Sequence, residues 1–206
     1  MQPLSDEQLH NLVERTVRQT LGGMMNPVPA PVPAIPEAPM PVSQLSPTPT
    51  SATKKIVAIG TDHGGVDLKT ALKADLVEQG YEVIDCGTDT KDAVDYPDIA
   101  LAVAQLVASG KAWRGVVIDG AGIGSCMSAN KVPGVRAAMC YDISTALNSR
   151  EHNDANVLTL GAGLIGTALA KAILKTWLVT DFGGGRHAKR VDKIIAIEKS
   201  YLKEGK

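Results

Sequence analysis

Short apolar runs alternate with longer amphipathic stretches from residue 55 onwards. Five runs rich in Val and Ile predict strands at 55–60, 81–85, 115–119, 134–140 and 157–160. The stretches between and after them have helical periodicity, which predicts helices at 65–79, 97–109, 124–130, 142–150, 166–179 and 187–203. Because the strands are almost continuously apolar, we expect them to be buried on both faces.

This alternation of strands and helices predicts the fold class. A helix between successive strands is typical of an α/β domain with a parallel sheet and right-handed crossovers. About 150 residues are enough to enclose one hydrophobic core. Residues 55–206 are therefore predicted to form a single domain.

The first 54 residues have a different pattern. Apolar residues recur at helical spacing at Leu9, Leu12, Val13, Val17 and Leu21. This predicts an amphipathic helix over residues 4–21, within a helical tail of residues 1–25. Nine of the twelve prolines lie between residues 26 and 50. Because proline removes backbone donors and fixes φ, residues 26–54 are predicted to be an extended, disordered linker.

Composition excludes several functional classes. Charged residues make up 21% of the chain and the formal net charge is -1, which favours neither a nucleic-acid nor an anionic membrane partner. The odd number of cysteines, with no Cys-x-x-Cys pair, argues against a disulfide framework and a zinc cluster. No apolar run approaches the ~20 residues of a membrane span, and the secretory-signal pattern is missing. We expect a cytoplasmic protein.

Polar residues concentrate in loops at the predicted ends of the sheet, where open α/β sheets bind ligands. Three of the four histidines lie in such loops: His63, His152 and His187. The first follows the first strand, the second precedes the fifth, and the third lies in a glycine-rich segment near the C-terminus. Their joint placement predicts a functional site. The alternatives are that Asp62–His63 only caps the end of a strand and that His152–Asn153 only forms hydrogen bonds with the loop backbone.

The loop 120–125 follows the third strand, has glycines at alternate positions and opens a helix. Its backbone N–H groups could hold a phosphate or stabilise an oxyanion, or the loop could simply be a tight turn. A nicotinamide cofactor is disfavoured, because the third glycine of the usual spacing is missing and the loop does not follow the first strand.

Two arginines, Arg186 and Arg190, are four residues apart and should project from one side of a helix start. Two converging guanidinium groups could clamp a phosphate. The alternative is a solvated basic face.

Five separated motifs occur in order: GTDHGG at 60–65, VDYP at 94–97, NK at 130–131, REHNDANV at 150–157 and GGRH at 184–187. Together they resemble the family of ribose-5-phosphate isomerase B and galactose-6-phosphate isomerase. The resemblance implies a Rossmann-like three-layer α/β/α sandwich with a mainly parallel five-stranded sheet. It also implies a homodimer, or a tetramer made of two such dimers, with active sites between subunits. The implied reaction is aldose–ketose isomerisation of a small sugar phosphate through an enediolate, without metal or cofactor.

The resemblance implies a role for each matching residue. His152 is the expected acid/base that opens the sugar ring, and Arg186 with Arg190 is the expected phosphate clamp. The family's proton-abstracting base is often a cysteine directly before the glycine loop, a position that Asp119 occupies here. The residues expected to contact the sugar are Asp62, His63, Tyr96, Gly120, Ala121, Gly122, Ile123, Gly124, Ser125 and Asn153.

Three departures from the family pattern bear on the substrate. The pKa of a free aspartate is ~3.9, and burial could raise the pKa of Asp119 and improve it as a base. The alternative is that Asp119 caps the following helix or binds a substrate hydroxyl. Ala121 replaces a hydroxyl residue that often assists ring opening, and Gly163 stands where some members have a further arginine. These changes favour a short, open-chain sugar such as a tetrose phosphate over the usual pentose phosphate.

The tail and linker resemble the encapsulation peptides that tether enzymes to bacterial microcompartment shells. A helix of under 20 residues is marginal in water, so residues 4–21 are expected to fold on a shell protein. This would place the protein in a microcompartment lumen. The alternative is an unstructured or self-associating tail.

Two other functions stay open from the sequence. The first is a catalytically silent binding or scaffold protein of the same fold. The departures from the family pattern at Asp119 and Ala121 leave it open. The second is a nucleotide-binding oxidoreductase, which the glycine spacing argues against.

Overall fold

The computed structural model describes residues 55–202 and the single helical residue Glu7. Apart from Glu7, the predicted tail helix and linker lie outside the described residues. They therefore stay predictions.

Residues 55–202 contain the five strands and six helices that the apolar pattern predicts. The strands are β1 (Ile56–Thr61), β2 (Glu82–Asp85), β3 (Arg114–Asp119), β4 (Ala137–Met139) and β5 (Val157–Gly161). The helices are α1 (Val66–Glu78), α2 (Tyr96–Ala108), α3 (Ile123–Ala129), α4 (Ile143–Glu151), α5 (Thr167–Val179) and α6 (Gly185–Tyr201).

The five strands form one sheet in the order β2-β1-β3-β5-β4, and all neighbours are parallel. β3 lies at the centre, where Val117 pairs with Gly60 of β1 and Thr159 of β5. The expected α/β class and parallel five-stranded sheet are thus confirmed.

Helices cover both faces of the sheet and bury the strands between them. On one face, α1, α4 and α5 pack on alternate strand residues, with Leu72 and Trp177 fully buried there. On the other face, α2 and α3 pack on the intervening residues, with Val103 fully buried. Two apolar layers around the sheet explain why the strands read as continuous apolar runs.

Because all strands are parallel, the sheet has two unlike edges. We call the edge where the strands end the carboxyl edge and the edge where they begin the amino edge. α4 starts after β4 at the carboxyl edge and returns to the amino edge directly before β5. Its C-terminal end is fixed there, because Arg136 before β4 donates to the carbonyl and carboxylate of Asp154 at 2.9 and 2.8 Å.

A buried arginine ties α5 to the amino edge. Arg114, the first residue of β3, donates to the carbonyls of Trp177, Leu178 and Thr180 at 2.6, 2.9 and 3.3 Å. These are among the last carbonyls of the helix, which lack partners within it. The contacts hold the α5–α6 connection beside the end of α4.

One boundary differs clearly from the prediction. The fourth strand was expected over 134–140 but covers only Ala137–Met139. Gly134 has a positive φ of 83°, and the Asn156 side chain bonds Gly134 O and Arg136 N at 2.8 and 2.7 Å. Before residue 137, these side-chain hydrogen bonds take the place of backbone hydrogen bonds of the sheet. None of the described helices is both long and apolar enough to cross a membrane.

Candidate active site

The first group of predicted site residues lies at the carboxyl edge, after β1. Asp62 is 8% exposed; its N–H donates to Ile118 O on the neighbouring strand at 3.3 Å. Its carboxylate accepts the Gly64 N–H at 2.9 Å. His63 is exposed, and its Nδ1 accepts the Val94 N–H at 3.4 Å. Asp62 is thus locked in place, whereas His63 faces outward beside the loop before α2.

The glycine loop after β3 wraps around the carboxylate of Asp119, which is 4% exposed. Oδ1 accepts the N–H groups of Ala121, at 2.8 Å, and Gly122, and Oδ2 accepts the Ser125 N–H at 2.9 Å. Gly122 has a φ of 80°, a left-handed conformation that turns its N–H toward the carboxylate. Asp119 therefore organises the loop and the start of α3.

The pKa of Asp119 lies below its ordinary value, not above it as expected for a buried base. Burial alone would raise this pKa, but the adjacent Ser125 side chain and the three backbone N–H groups lower it by more. The Ser125 hydroxyl has no hydrogen-bond partner among the described residues. We therefore attribute the lowered pKa of Asp119 mainly to the hydrogen bonds from the three backbone N–H groups. These hydrogen bonds describe a cap on the loop and on the start of α3, which is one of the alternatives that the sequence leaves open for Asp119.

The remaining carboxyl-edge residues close around this loop. Tyr96, the first residue of α2, lies over Gly124, since a Cβ on Gly124 would come within 2.5 Å of the Tyr96 ring. Ile123, in the first turn of α3, is 51% exposed. The Gly163 N–H donates to Gly120 O at 3.0 Å, and a Cβ at 163 would crowd the same oxygen. The structure thus brings Asp62, His63, Tyr96 and loop 119–125 together.

The second group lies at the amino edge, where α4 ends and α6 begins. The rings of His152 and His187 are stacked, with centroids 4.0 Å apart and planes within 5°. Gly183 N–H donates to Glu151 O at 2.9 Å and joins the two segments. Arg186 and Arg190 lie in the first two turns of α6, and both are exposed. Asn153 is exposed and lines a shallow hollow of about 340 Å³.

The pKa of His187 lies below its ordinary value. Burial is the largest cause, followed by the neighbouring His152 ring and the Arg186 and Arg190 guanidinium groups. A nearby carboxylate, Glu151, opposes them. His187 is therefore neutral at neutral pH.

The two groups lie at opposite edges of the sheet, so one chain does not bring all the predicted site residues together. The central strand β3 has six residues, about 17 Å at 3.3 Å per residue. Asp119 ends that strand, whereas His152 precedes the start of β5. In residues 55–202 no hydrogen bond joins the two groups. The direction of parallel strands explains this, because any residue directly before a strand belongs to the amino edge.

One polar contact was missed by sequence reasoning. The side-chain amide of Asn148 lies 2.8 Å from His152 Nδ1. Asn148 precedes His152 by four residues, and residues four apart share a helix face. That spacing was the signal available in the sequence.

The family model described as Ribose/Galactose Isomerase matches residues 57–194, which includes both groups. This chain belongs to the ribose/galactose isomerase family. It is 46% identical over 144 residues to ribose-5-phosphate isomerase B of Escherichia coli, covering 70% of this chain and 97% of that protein. It is 43% identical over 139 residues to D-erythrulose-4-phosphate isomerase of Pectobacterium atrosepticum, covering 67% and 91%.

The fold of a solved family member agrees with that of this chain. Ribose-5-phosphate isomerase B of Clostridium thermocellum is 53% identical and superimposes with a TM-score of 0.71, over 71% of this chain and 99% of that one. The matched parts exclude the tail and linker. The family comparison therefore concerns the α/β domain alone.

Proposed function

We propose that this protein is an aldose–ketose isomerase that interconverts a small sugar phosphate through an enediolate. Family membership supports the reaction class. The observation that carries the proposal is the glycine loop, which holds a carboxylate and free backbone donors at the carboxyl edge. The N–H groups of Ile123 and Gly124 open α3, where the first N–H groups of a helix lack internal acceptors.

We assign the proton transfer on carbon to Asp119. Its Oδ2 accepts one hydrogen bond, and a carboxylate oxygen has a second lone pair. Oδ2 takes the proton from the carbon next to the carbonyl, the electron pair forms the enediolate double bond, and the carbonyl oxygen becomes an oxyanion. Return of the proton to the former carbonyl carbon, together with transfer of the hydroxyl proton of the neighbouring carbon to the oxyanion, forms the new carbonyl and completes the isomerisation. The lowered pKa keeps Asp119 ionised at neutral pH but makes it a weaker base.

The oxyanion is assigned to the N–H groups of Ile123 and Gly124. Donors fixed before the reaction need no rearrangement when charge develops. Asp62, His63 and Tyr96 border the same loop and would bind the sugar hydroxyls.

The amino-edge group supplies the other functions. His152 would move protons between sugar oxygens, including ring opening where the substrate is cyclic, and Asn153 would bind beside it. Arg186 and Arg190 are exposed and four residues apart on α6, so their guanidinium groups can converge on one phosphate.

We infer a homodimer in which each site combines the carboxyl edge of one chain with the amino edge of the other. The 17 Å strand length prevents the two groups from meeting within one chain. α6 supports this arrangement, because only His187 and Val191 of its 17 residues are buried. Its apolar residues Ile194, Ile197 and Tyr201 are 45, 61 and 84% exposed, which suits burial against a second subunit. Two such dimers could pair into a tetramer.

We propose a tetrose phosphate as the preferred substrate over a pentose phosphate. A 4-phosphorylated tetrose cannot close a five-membered ring through its blocked O4, so it needs no ring opening. Ala121 offers no hydroxyl to assist that step, and Gly163 leaves no arginine beside the loop. Relatives of both kinds exist, with D-erythrulose 4-phosphate and ribose 5-phosphate in their names.

The test is NMR in deuterium oxide with ribose, ribulose, erythrose and erythrulose phosphates. We expect interconversion, with deuterium entering at the carbon next to the carbonyl, and the highest kcat/KM for a tetrose phosphate. A far higher kcat/KM for ribose 5-phosphate would refute the substrate proposal. No exchange with any of the four would refute the isomerase and favour a silent binding protein.

We further propose that residues 4–21 tether the enzyme to a bacterial microcompartment shell through the linker. The support is the apolar stripe of the tail, which needs a partner groove to be buried. Deleting residues 1–50 should leave the isomerase rate unchanged and abolish co-localisation with shell protein in cells. Unchanged localisation after the deletion would refute this proposal.

A further inference from the structure

Asn148, one helical turn before His152, determines which ring nitrogen of His152 carries the proton. The Asn148 side-chain nitrogen lies 2.8 Å from His152 Nδ1. An amide nitrogen only donates, so Nδ1 must accept. The single proton of the neutral imidazole then lies on Nε2.

The stacked neighbour has the opposite arrangement. Arg186 Nε donates to His187 Nε2 at 3.3 Å. A guanidinium group has no acceptor, so His187 Nε2 is unprotonated and its neutral ring carries the proton on Nδ1. That Nδ1 is buried and has no hydrogen-bond partner in the described part of the chain.

The stacking limits the pair to one added proton. The ring centroids are 4.0 Å apart, a distance at which two positive rings would repel strongly. Two cationic groups, Arg186 and Arg190, also face His187, and only Glu151 opposes them. His187 therefore stays neutral beside the His152 ring.

We propose that Asn148 and Arg186 are positioning residues that hold the stacked histidines in opposite neutral tautomers, so that His152 presents Nε2–H to the sugar phosphate. The role toward the sugar rests on the isomerase proposed above. The tautomers themselves do not, since they belong to the resting protein.

The first test reads the tautomers directly. In the full chain with ¹⁵N-labelled histidine, multiple-bond ¹H–¹⁵N spectra at neutral pH distinguish protonated from unprotonated ring nitrogens. We expect the proton on Nε2 of His152 and on Nδ1 of His187. His152→Gln and His187→Gln assign the two sets of signals.

Two variants then change the contact. Asn148→Asp replaces the donor by an acceptor and should move the His152 proton to Nδ1, whereas Asn148→Ala should give a mixture of tautomers. Ser144→Ala, on an exposed part of the same helix, is the matched control and should leave both spectra unchanged. Nδ1–H as the main form of His152 in the unaltered protein, or an unchanged spectrum in Asn148→Asp, would overturn the assignment.

The second test links the tautomer to turnover. Asn148→Ala should lower kcat roughly five- to tenfold, as expected from the loss of one orienting hydrogen bond, with KM little changed. Asn148→Asp should also shift the pH profile of kcat to higher pH, because a carboxylate stabilises the protonated ring. A rate and profile equal to those of the Ser144→Ala control would refute the positioning role.

The two proposals fail separately. An inactive protein with the expected spectra would refute the isomerase and keep the tautomer assignment. A fully active protein with His152 protonated on Nδ1 would refute the assignment and keep the isomerase.

Discussion

The two edges of the sheet contribute to the proposed site in different ways. At the carboxyl edge, Asp62, Asp119 and Ser125 are buried, and backbone N–H groups fix the carboxylates. At the amino edge, Arg186 and Arg190 are exposed side chains on the first turns of α6. One region is complete before substrate arrives, whereas the other presents long side chains that need a second surface.

This difference separates the proton transfer on carbon from the binding of the phosphate. Charge development on a reacting carbon is best stabilised by groups that do not move, and the buried loop provides them. A phosphate can be bound by flexible cations, because its charge is present throughout the reaction. The comparison therefore predicts large catalytic effects for carboxyl-edge changes and a dependence on subunit pairing for amino-edge changes.

The largest expected effect is at Asp119. Asp119→Asn should lower the rate of solvent deuterium exchange by about 10² to 10⁴, the range of a lost general base. Asp119→Cys should keep measurable exchange, because a thiolate can also take the proton. Both rates are measured by NMR in deuterium oxide.

Stability separates this role from simple capping. Asp119→Asn keeps an oxygen for the Ala121 and Gly122 N–H groups and loses the acceptor of the Ser125 N–H, whereas Asp119→Cys loses the acceptors of all three. Both should lower the free energy of unfolding, by about 1–3 kcal/mol, and Asp119→Cys by more than Asp119→Asn. Since the pKa of Asp119 is lowered from 3.8 on folding, its stabilisation is present above that pH and is lost as the pH falls through the folded value. A stability loss in both variants with only a slight change of exchange in Asp119→Asn would leave Asp119 as a cap alone.

The next prediction tests whether two chains share a site. Asp119→Asn and His152→Ala homodimers should each be almost inactive. Mixed by co-refolding, random pairing puts half the dimers in the mixed form with one intact site in two, so about a quarter of the original activity should return. Differently tagged chains allow the mixed dimers to be isolated and assayed.

A site built within one chain would give the opposite result. Each chain of a mixed dimer would then carry one defect in its own site, and no activity would return. Refolding each variant with itself is the matched control.

Sequence reasoning reached the fold because the signals were local. The apolar runs at 55–60, 115–119 and 157–160 are short and rich in β-branched residues, which predicts buried strands. The start of β4 was misjudged because the Asn156 side chain bonds the backbone groups of Gly134 and Arg136. That contact depends on a side chain 20 residues away.

The candidate site residues could be named from the sequence, but their arrangement could not. The low pKa of Asp119 depends on Gly122, whose positive φ turns an N–H inward, and no residue pattern specifies that turn. The separation of His63 from His152 could have been foreseen, since one follows a strand and the other precedes one. The motif resemblance identified both histidines as candidate site residues but did not show that they lie at opposite edges of the sheet.

A smaller effect is expected at Lys69 of α1, which bonds Asp85 at the end of β2. Its side chain is 1% exposed, and its Nζ lies 2.8 Å from Asp85 and 2.7 Å from Asp89. Lys69→Met leaves Asp85 without its main partner, and removing one member of a buried pair costs 3–5 kcal/mol. Because Asp89 is 82% exposed, we expect about 2–3 kcal/mol, measured by urea unfolding.

The pH dependence of that loss has a definite sign. Burial alone would lower the pKa of Lys69, but its bonds to Asp85 and Asp89 raise it above 10.5. Burial alone would raise the pKa of Asp85, but Lys69 and Lys73 lower it below 3.8. The difference between wild type and Lys69→Met should therefore be constant between these values, shrink below 3.8 and shrink as the pH rises through the folded pKa of Lys69. A pH-independent difference would contradict the ion pair as its cause.

The smallest effect compares two glycines of the same loop. A Cβ on Gly124 would lie 2.5 Å from the Tyr96 ring, whereas a Cβ on Gly120 meets nothing within 4 Å. Overpacking costs about 1–3 kcal/mol, but alanine gains 0.5–1 kcal/mol over glycine within a helix, and Gly124 lies in α3. Gly124→Ala should therefore lower the free energy of unfolding by about 1 kcal/mol, and Gly120→Ala should change it by less than about 0.5 kcal/mol. Since Tyr96 is 39% exposed, its ring can swing outward, so Gly124→Ala should also raise KM. Equal unfolding free energies for the two variants would show that Tyr96 does not rest on the loop.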